Sequence, residues 1–184
     1  MDFPRDGVTQ GGGADAAQRT AASAPLAVRV RRASIRDLEV VIALRLALLR
    51  EHPEHAIYGR LRVDVDERAR ELFATQLETP GEAIFLADLG GETAGILRCV
   101  EAIGSPLLEP ARYAYVSSVY VTPALRRRGV LRSLVAAAQQ WSVVRKLDQL
   151  RLHNVSGSES AERAWSALGF TVVEQVRVRS LPPR

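Results

Sequence analysis

The stretch from Tyr113 to Trp141, YAYVSSVYVTPALRRRGVLRSLVAAAQQW, constrains this chain more than any other. Tyr113, Tyr115, Val116, Val119, Tyr120 and Val121 are aromatic or β-branched and predict a strand. Thr122 and Pro123 end it, because proline cannot donate to a ladder. Leu131, Leu134, Val135, Ala138 and Trp141 then recur at helical spacing, so a long helix follows. Between the two lie Arg126, Arg127, Arg128 and Gly129. Cations have the wrong sign for a helix N-terminus, whose partial positive charge favours carboxylates. First-turn N–H groups, a glycine that admits close approach and several guanidinium groups together fit a phosphate. A solvated loop in an Arg-rich protein accommodates the same arginines equally well. The dinucleotide fingerprint and the ATP phosphate loop are both absent from this junction.

A chain of 184 residues, 47% of them hydrophobic, has material for one ordinary core. Residues 1–26, rich in Gly, Ala, Ser, Thr and Gln with no apolar period, are expected to be a disordered tail, and residues 27–184 one domain. The net charge of +4 comes almost wholly from arginine, since Lys146 is the one lysine, and says little about nucleic acid. Cys99 is solitary, which excludes a disulfide framework and a Cys-based zinc site. With no apolar leader and no run long enough to cross a bilayer, a soluble, cytoplasmic protein is expected, without membrane association.

The domain is read as opening with a strand over Ala27–Arg32, then Ser34 as a cap with Asp37 as its acidic partner. A helix to about Arg50 carries Leu38, Val41, Ile42, Leu46 and Leu49 on one face, and a second spans Val65–Leu77. The loop between them holds His52, Glu54, His55 and Tyr58; two histidines without a third ligand make a weak metal site, and no metal is expected. Glu82–Leu89 and Thr93–Ile103 predict a hairpin turning at Gly90 and Gly91. After the long helix come a short strand at Gln149–His153, a helix over Glu159–Leu168 closed by Gly169, and an alternating final strand over Phe170–Arg179.

The run V-x-V-x-P-x-x-R-x-x-G-x-x-R-x-L from Val119 to Leu134 resembles the acetyl-coenzyme A (acetyl-CoA) motif of the GCN5-related N-acetyltransferases. Arg126 and Gly129 fill the first two fixed places of that loop, and Leu131 stands where the family has Gly or Ala. A second signature, A-x-x-x-Y-x-x-L-G-F, appears from Ala161 to Phe170 with Trp165 in place of the tyrosine. The likeness spans roughly Val28–Arg179. It implies an α/β fold of α+β type, a mixed, largely antiparallel sheet flanked by helices.

It further implies acetyl-CoA as acyl donor, held by Val119, Tyr120, Val121, Arg126, Arg127, Arg128, Gly129, Val130, Leu131 and Arg132, with Ser158 where an asparagine often contacts the cofactor. The acceptor would be a primary amine on a small molecule or peptide, attacking the thioester directly. The helix pair and the loop between them would set its specificity, and homodimers are frequent in the family. A backbone N–H near Val119 would stabilise the oxyanion. Trp165 cannot act as the acid that the family's tyrosine supplies. No base is assigned; Glu101, Glu54 and Tyr115 are candidates, and positioning alone supplies much of the rate in such a reaction. Two other readings stay open: a non-catalytic acyl-CoA binding or sensing domain, favoured by the departures at Leu131, Ser158 and Trp165, and a nucleic-acid binder. Only 5% aromatic content and no stacking platform speak against the second.

Overall fold

The computed structural model describes residues 27–155 and 157–181, so the tail expected over residues 1–26 lies outside the described residues. The first strand, β1, is Arg29–Arg32. At Ser34 the chain turns: the Ser34 amide and hydroxyl both donate to Asp37 Oδ2, at 2.8 and 3.0 Å, and a short 3-10 turn leads into α1, Leu38–Arg50. The expected pair therefore forms, with the acid as acceptor. Helix α2 is Val65–Glu78, and the hairpin is β2, Glu82–Leu89, with β3, Glu92–Ile103. Gly90 and Gly91 join them at φ of 65° and 87°, the left-handed pair a tight hairpin turn demands. Then come β4, Arg112–Val121, α3, Val130–Val144, β5, Leu150–Leu152, and α4, Glu159–Ala167.

The strands lie in the order β1-β2-β3-β4-β5, antiparallel from β1 to β4, with β5 parallel to β4. Helices cover both faces. One face packs Ala83, Phe85, Leu97 and Val116 against Val130, Leu134, Val135 and Ala138 of α3. The other packs Ile84, Leu86 and Ile96 against Val41, Ile42 and Leu46 of α1 and Phe73 of α2. Burying a side chain such as Leu134 contributes about 2 kcal/mol each time, and these two layers fix α1 and α3 on opposite sides of β4. Gly95 is what lets α3 sit so close. A Cβ there would meet the Tyr120 carbonyl oxygen at 2.6 Å and Val130 Cγ1 at 3.2 Å.

One expected element does not form. Residues 168–181 carry no helix or strand, and Val172, Val173, Val176 and Val178 are exposed. Alternation favours a strand only where there is an edge to pair with and a face to bury. The edge strand β5 is three residues long, and this segment makes no ladder with it.

Candidate active site

Two irregularities in β4 open the site. On the β3 side the register steps from Ile96 opposite Tyr120 to Arg98 opposite Ser117, so β4 carries one residue too many. Ser118 takes up the excess at φ 52°, a left-handed conformation serine seldom adopts, and the strand bends there. On the other side, pairing with β5 covers only Ala114, Tyr115 and Val116. From Ser117 to Val121 no described strand covers that edge. Thr122 donates to the Ala94 carbonyl across β3, so by the alternation of an antiparallel ladder the backbone of Val121 faces the open side.

The strand then runs into the arginine turn. A 3-10 turn over Pro123–Leu125 is followed by Arg127 at φ 64° and Gly129 at φ 82°, directly before α3. No acidic residue lies in the first turn of α3, and no side chain caps it. Its leading amides are thus free of intrahelical partners, as at any helix start, and uncapped. A Cβ on Gly129 would meet no atom within 4 Å, because the residue borders open space. Together these features fit a phosphate group: free amides, a glycine with room before it, and Arg127 and Arg132 alongside.

The parted strand and the turn line a single cavity of about 860 Å³. Every residue expected to contact the cofactor borders it except Arg128, which is exposed and faces elsewhere. Val130 is 1% exposed with its side chain in the core, so it offers the cavity only backbone. Arg126 is already engaged: Nε donates to the Val121 carbonyl at 3.0 Å, and Nη2 meets both Glu51 oxygens at 2.6 and 2.7 Å. Ser158 caps α4, its hydroxyl accepting from the Ala161 amide at 3.4 Å. Trp165 lies edge-on to Phe170 with centroids 5.3 Å apart while still bordering the cavity.

A chain with this arrangement can be placed by comparison. A family model described as the acetyltransferase (GNAT) family matches residues 45–170. The chain belongs to the GNAT family. No curated protein matches it in sequence. Among solved structures it resembles a predicted acetyltransferase from Clostridium acetobutylicum with acetyl-CoA, at TM-score 0.68 and 14% identity over 83% of this chain and 96% of that one. It also resembles a GCN5-related N-acetyltransferase from Ralstonia eutropha JMP134, at TM-score 0.68 and 19% identity over 84% and 99%. Aminoglycoside N-acetyltransferase AAC(6')-Iy in complex with CoA is similar at TM-score 0.70 and 20% identity, over 86% and 97%. The mixed sheet with flanking helices is therefore the GNAT fold.

In this GNAT protein the part of the cavity bordered by α1, the loop after it and β5 holds residues that sequence reasoning passed over. Of the candidate bases, only Tyr115 borders the cavity; Glu54 does not, and Glu101 is held by Arg112 and Arg145. Tyr115 Oη lies 3.1 Å from Nδ1 of His153. Burial, first, and the neighbouring phenols push the Tyr115 hydroxyl above its ordinary value. His153 follows the last residue of β5 and reaches the site through the parallel pairing with β4, a long-range contact that no local pattern announces. His52 and Tyr58 border the cavity. His55 does not: its Nδ1 accepts from the Ile57 and Tyr58 amides at 3.2 Å each and its ring stacks on Tyr58, pinning the loop. Arg45 and Glu51 were also missed. Arg45 had a legible signal, a charge set one turn from Val41 and Ile42 on the apolar stripe of α1. Among the described residues no group of three or more His, Cys, Asp or Glu comes together as a metal site would need. Nor is any described helix long and apolar enough to cross a membrane.

Proposed function

We propose that this protein is an N-acetyltransferase that moves an acetyl group from acetyl-CoA directly to a primary amine. The observation that carries the reading is the juxtaposition in one cavity of an unpaired β4 edge with an uncapped, arginine-flanked helix start. Free backbone on β4 suits the amide-bearing pantetheine arm, which pairs like a short strand. The α3 amides with Arg127 and Arg132 suit the pyrophosphate. When bound, acetyl-CoA would supply an acetyl group activated as a thioester, the carbon–sulfur bond breaking as the amine nitrogen keeps the acetyl carbon and the thiolate so released taking a proton from water.

The protein's own work is then positioning and proton handling. Bulged backbone at Ser118 and Val119 donates to the developing oxyanion, a fixed dipole that needs no reorganisation. Tyr115 relays the proton that the attacking amine must lose: its hydroxyl accepts that proton, directly or through one water, as it gives its own to Nδ1 of His153 at 3.1 Å, so the imidazole is where the proton comes to rest. Trp165 closes the wall and lends no proton. A homodimer belongs to the same reading. It is supported by the exposed valines of residues 172–178, which have a strand-like sequence and no ladder partner within the described chain; sedimentation of a monomer at all concentrations tested would remove it.

Calorimetric titration with acetyl-CoA and CoA tests the main proposal. Micromolar binding of both is expected, with thiol release from acetyl-CoA when an acceptor amine is added and loss of that release in Tyr115→Phe with binding retained. Absence of binding to either ligand refutes the proposal. Binding without thiol release across a broad amine panel would instead favour a sensing domain.

A further inference from the structure

The acceptor half of the cavity carries a cation that no described residue neutralises. Arg45, Leu48 and Leu49 follow one another at helical spacing along α1, His52 lies just past its end, and all four border the cavity. Arg45 is half-buried, and Tyr58, Tyr115 and Arg98 are its charged or titratable neighbours. Arg98 is satisfied, with Glu82 at 2.7 Å and the Ser117 hydroxyl at 3.2 Å. Arg45 makes no ion pair or side-chain hydrogen bond among the described residues. Burial works against its charge, lowering its pKa from the ordinary arginine value.

Neither obvious anion can answer it from where it sits. Glu51 is the one carboxylate bordering the cavity among the described residues, and both its oxygens are taken by Arg126. The phosphate-suited turn begins beyond Val121, six residues along β4 from Tyr115, which is about 20 Å of strand. Arginine stays charged at any working pH, and a half-buried guanidinium with no protein anion beside it gains from an anion that enters the pocket. A planar fork of donors in a half-dry pocket matches a carboxylate in two-point geometry.

We propose that the acceptor is a small amine bearing a carboxylate, an amino acid in the broad chemical sense, and that Arg45 holds the carboxylate while the amine lies toward Tyr115 and His153. This rests on reading the cavity as an acetyltransferase cleft and narrows its substrate class. A polycationic acceptor such as an aminoglycoside is disfavoured, because a site for it needs free carboxylates and this cavity presents a free guanidinium instead.

The test compares the twenty L-amino acids with their carboxamides in acetyl-CoA-dependent thiol release, in the full-chain protein and in Arg45→Gln and Arg45→Lys. At least one free acid should be used roughly 10- to 100-fold better in kcat/KM than its amide, the worth of a charge-assisted hydrogen bond. Arg45→Gln should erase that preference through KM, Arg45→Lys should restore part of it, and calorimetric affinity for acetyl-CoA should hold in both. Equal use of acids and amides by the unmodified protein, or no turnover of any free acid, overturns the inference while normal acetyl-CoA binding leaves the acetyltransferase reading standing. Loss of acetyl-CoA binding in the unmodified protein sinks that reading itself.

Discussion

Replacing Gly129 by alanine separates two roles that a single backbone position carries. At φ 82° any residue with a Cβ is strained, by about 1–2 kcal/mol. No clash adds to this, since the new methyl would meet nothing within 4 Å. A domain of this size should therefore lose only about 2–8 °C of Tm and keep its fold. Gly129 borders the cavity, however, and its methyl would occupy the space where a phosphate approaches the first amides of α3. Losing one charge-assisted hydrogen bond weakens binding by roughly 10- to 100-fold. Gly91→Ala is the matched control: φ is 87°, nothing lies within 4 Å, and the residue does not line the cavity. Thermal melts and calorimetry with CoA read the two effects apart. Similar Tm losses in both variants with weakened CoA binding only in Gly129→Ala are expected. Equal CoA affinity in both would refute the assignment of this turn to phosphate.

Gly95→Ala should behave quite differently, because its Cβ would press on the Tyr120 backbone at 2.6 Å; a loss of about 1–3 kcal/mol in chemical denaturation is expected, and an unchanged midpoint would mean that the β4 backbone does not approach Gly95 as closely as described. Asp37 bears on acid stability: hydrogen bonding from Arg31, foremost, and from Ser34 holds its carboxyl at about 2 against an ordinary 3.8. The folded state thus binds fewer protons than the unfolded one between those values, so the contribution of about 2 kcal/mol is complete above pH 4 and fades as pH falls toward 2. The stability gap between the protein and Asp37→Asn should close over that window, and a gap independent of pH would contradict it. Cys99 is fully buried with its thiol pushed up to about 12 by burial, so thiol reagents at pH 8 should label it only on unfolding; stoichiometric labelling of the native protein would overturn that.

What the sequence disclosed and what it hid follow from the range of the interactions. Helices α1 to α4 and strands β1 to β4 rest on period, caps and glycine turns, all local, and each lies within a few residues of its expected span. The stretch at Phe170–Arg179 has the right alternation and still forms no strand, because pairing depends on a partner edge that local pattern cannot see. The same limit applies within the site. The arginine turn and Gly129 were legible because strand, turn and helix are contiguous. The bulge at Ser118, the end of β4–β5 pairing at Val116 and the meeting of Tyr115 with His153 are all relations between distant segments.

Arg126 shows how far a motif falls short of a role. Its guanidinium bridges the Val121 carbonyl and Glu51 and stands over the Tyr120 ring at 5.9 Å, joining the end of α1 to the phosphate-suited turn. The two side chains are 46% and 30% exposed, so the pair contributes under about 1 kcal/mol to stability and is no structural necessity. Its consequence lies in competition: a phosphate arriving at the turn must share Arg126 with Glu51. Glu51→Gln removes the competing charge while keeping the shape, and should tighten CoA binding up to about fivefold, the equivalent of 1 kcal/mol. Arg126→Ala should weaken it and erase the effect of Glu51→Gln in the double variant. If Glu51→Gln instead leaves affinity unchanged or lowers it, Arg126 is a strut between the acceptor and donor halves, and phosphate binding falls to the α3 amides with Arg127 and Arg132.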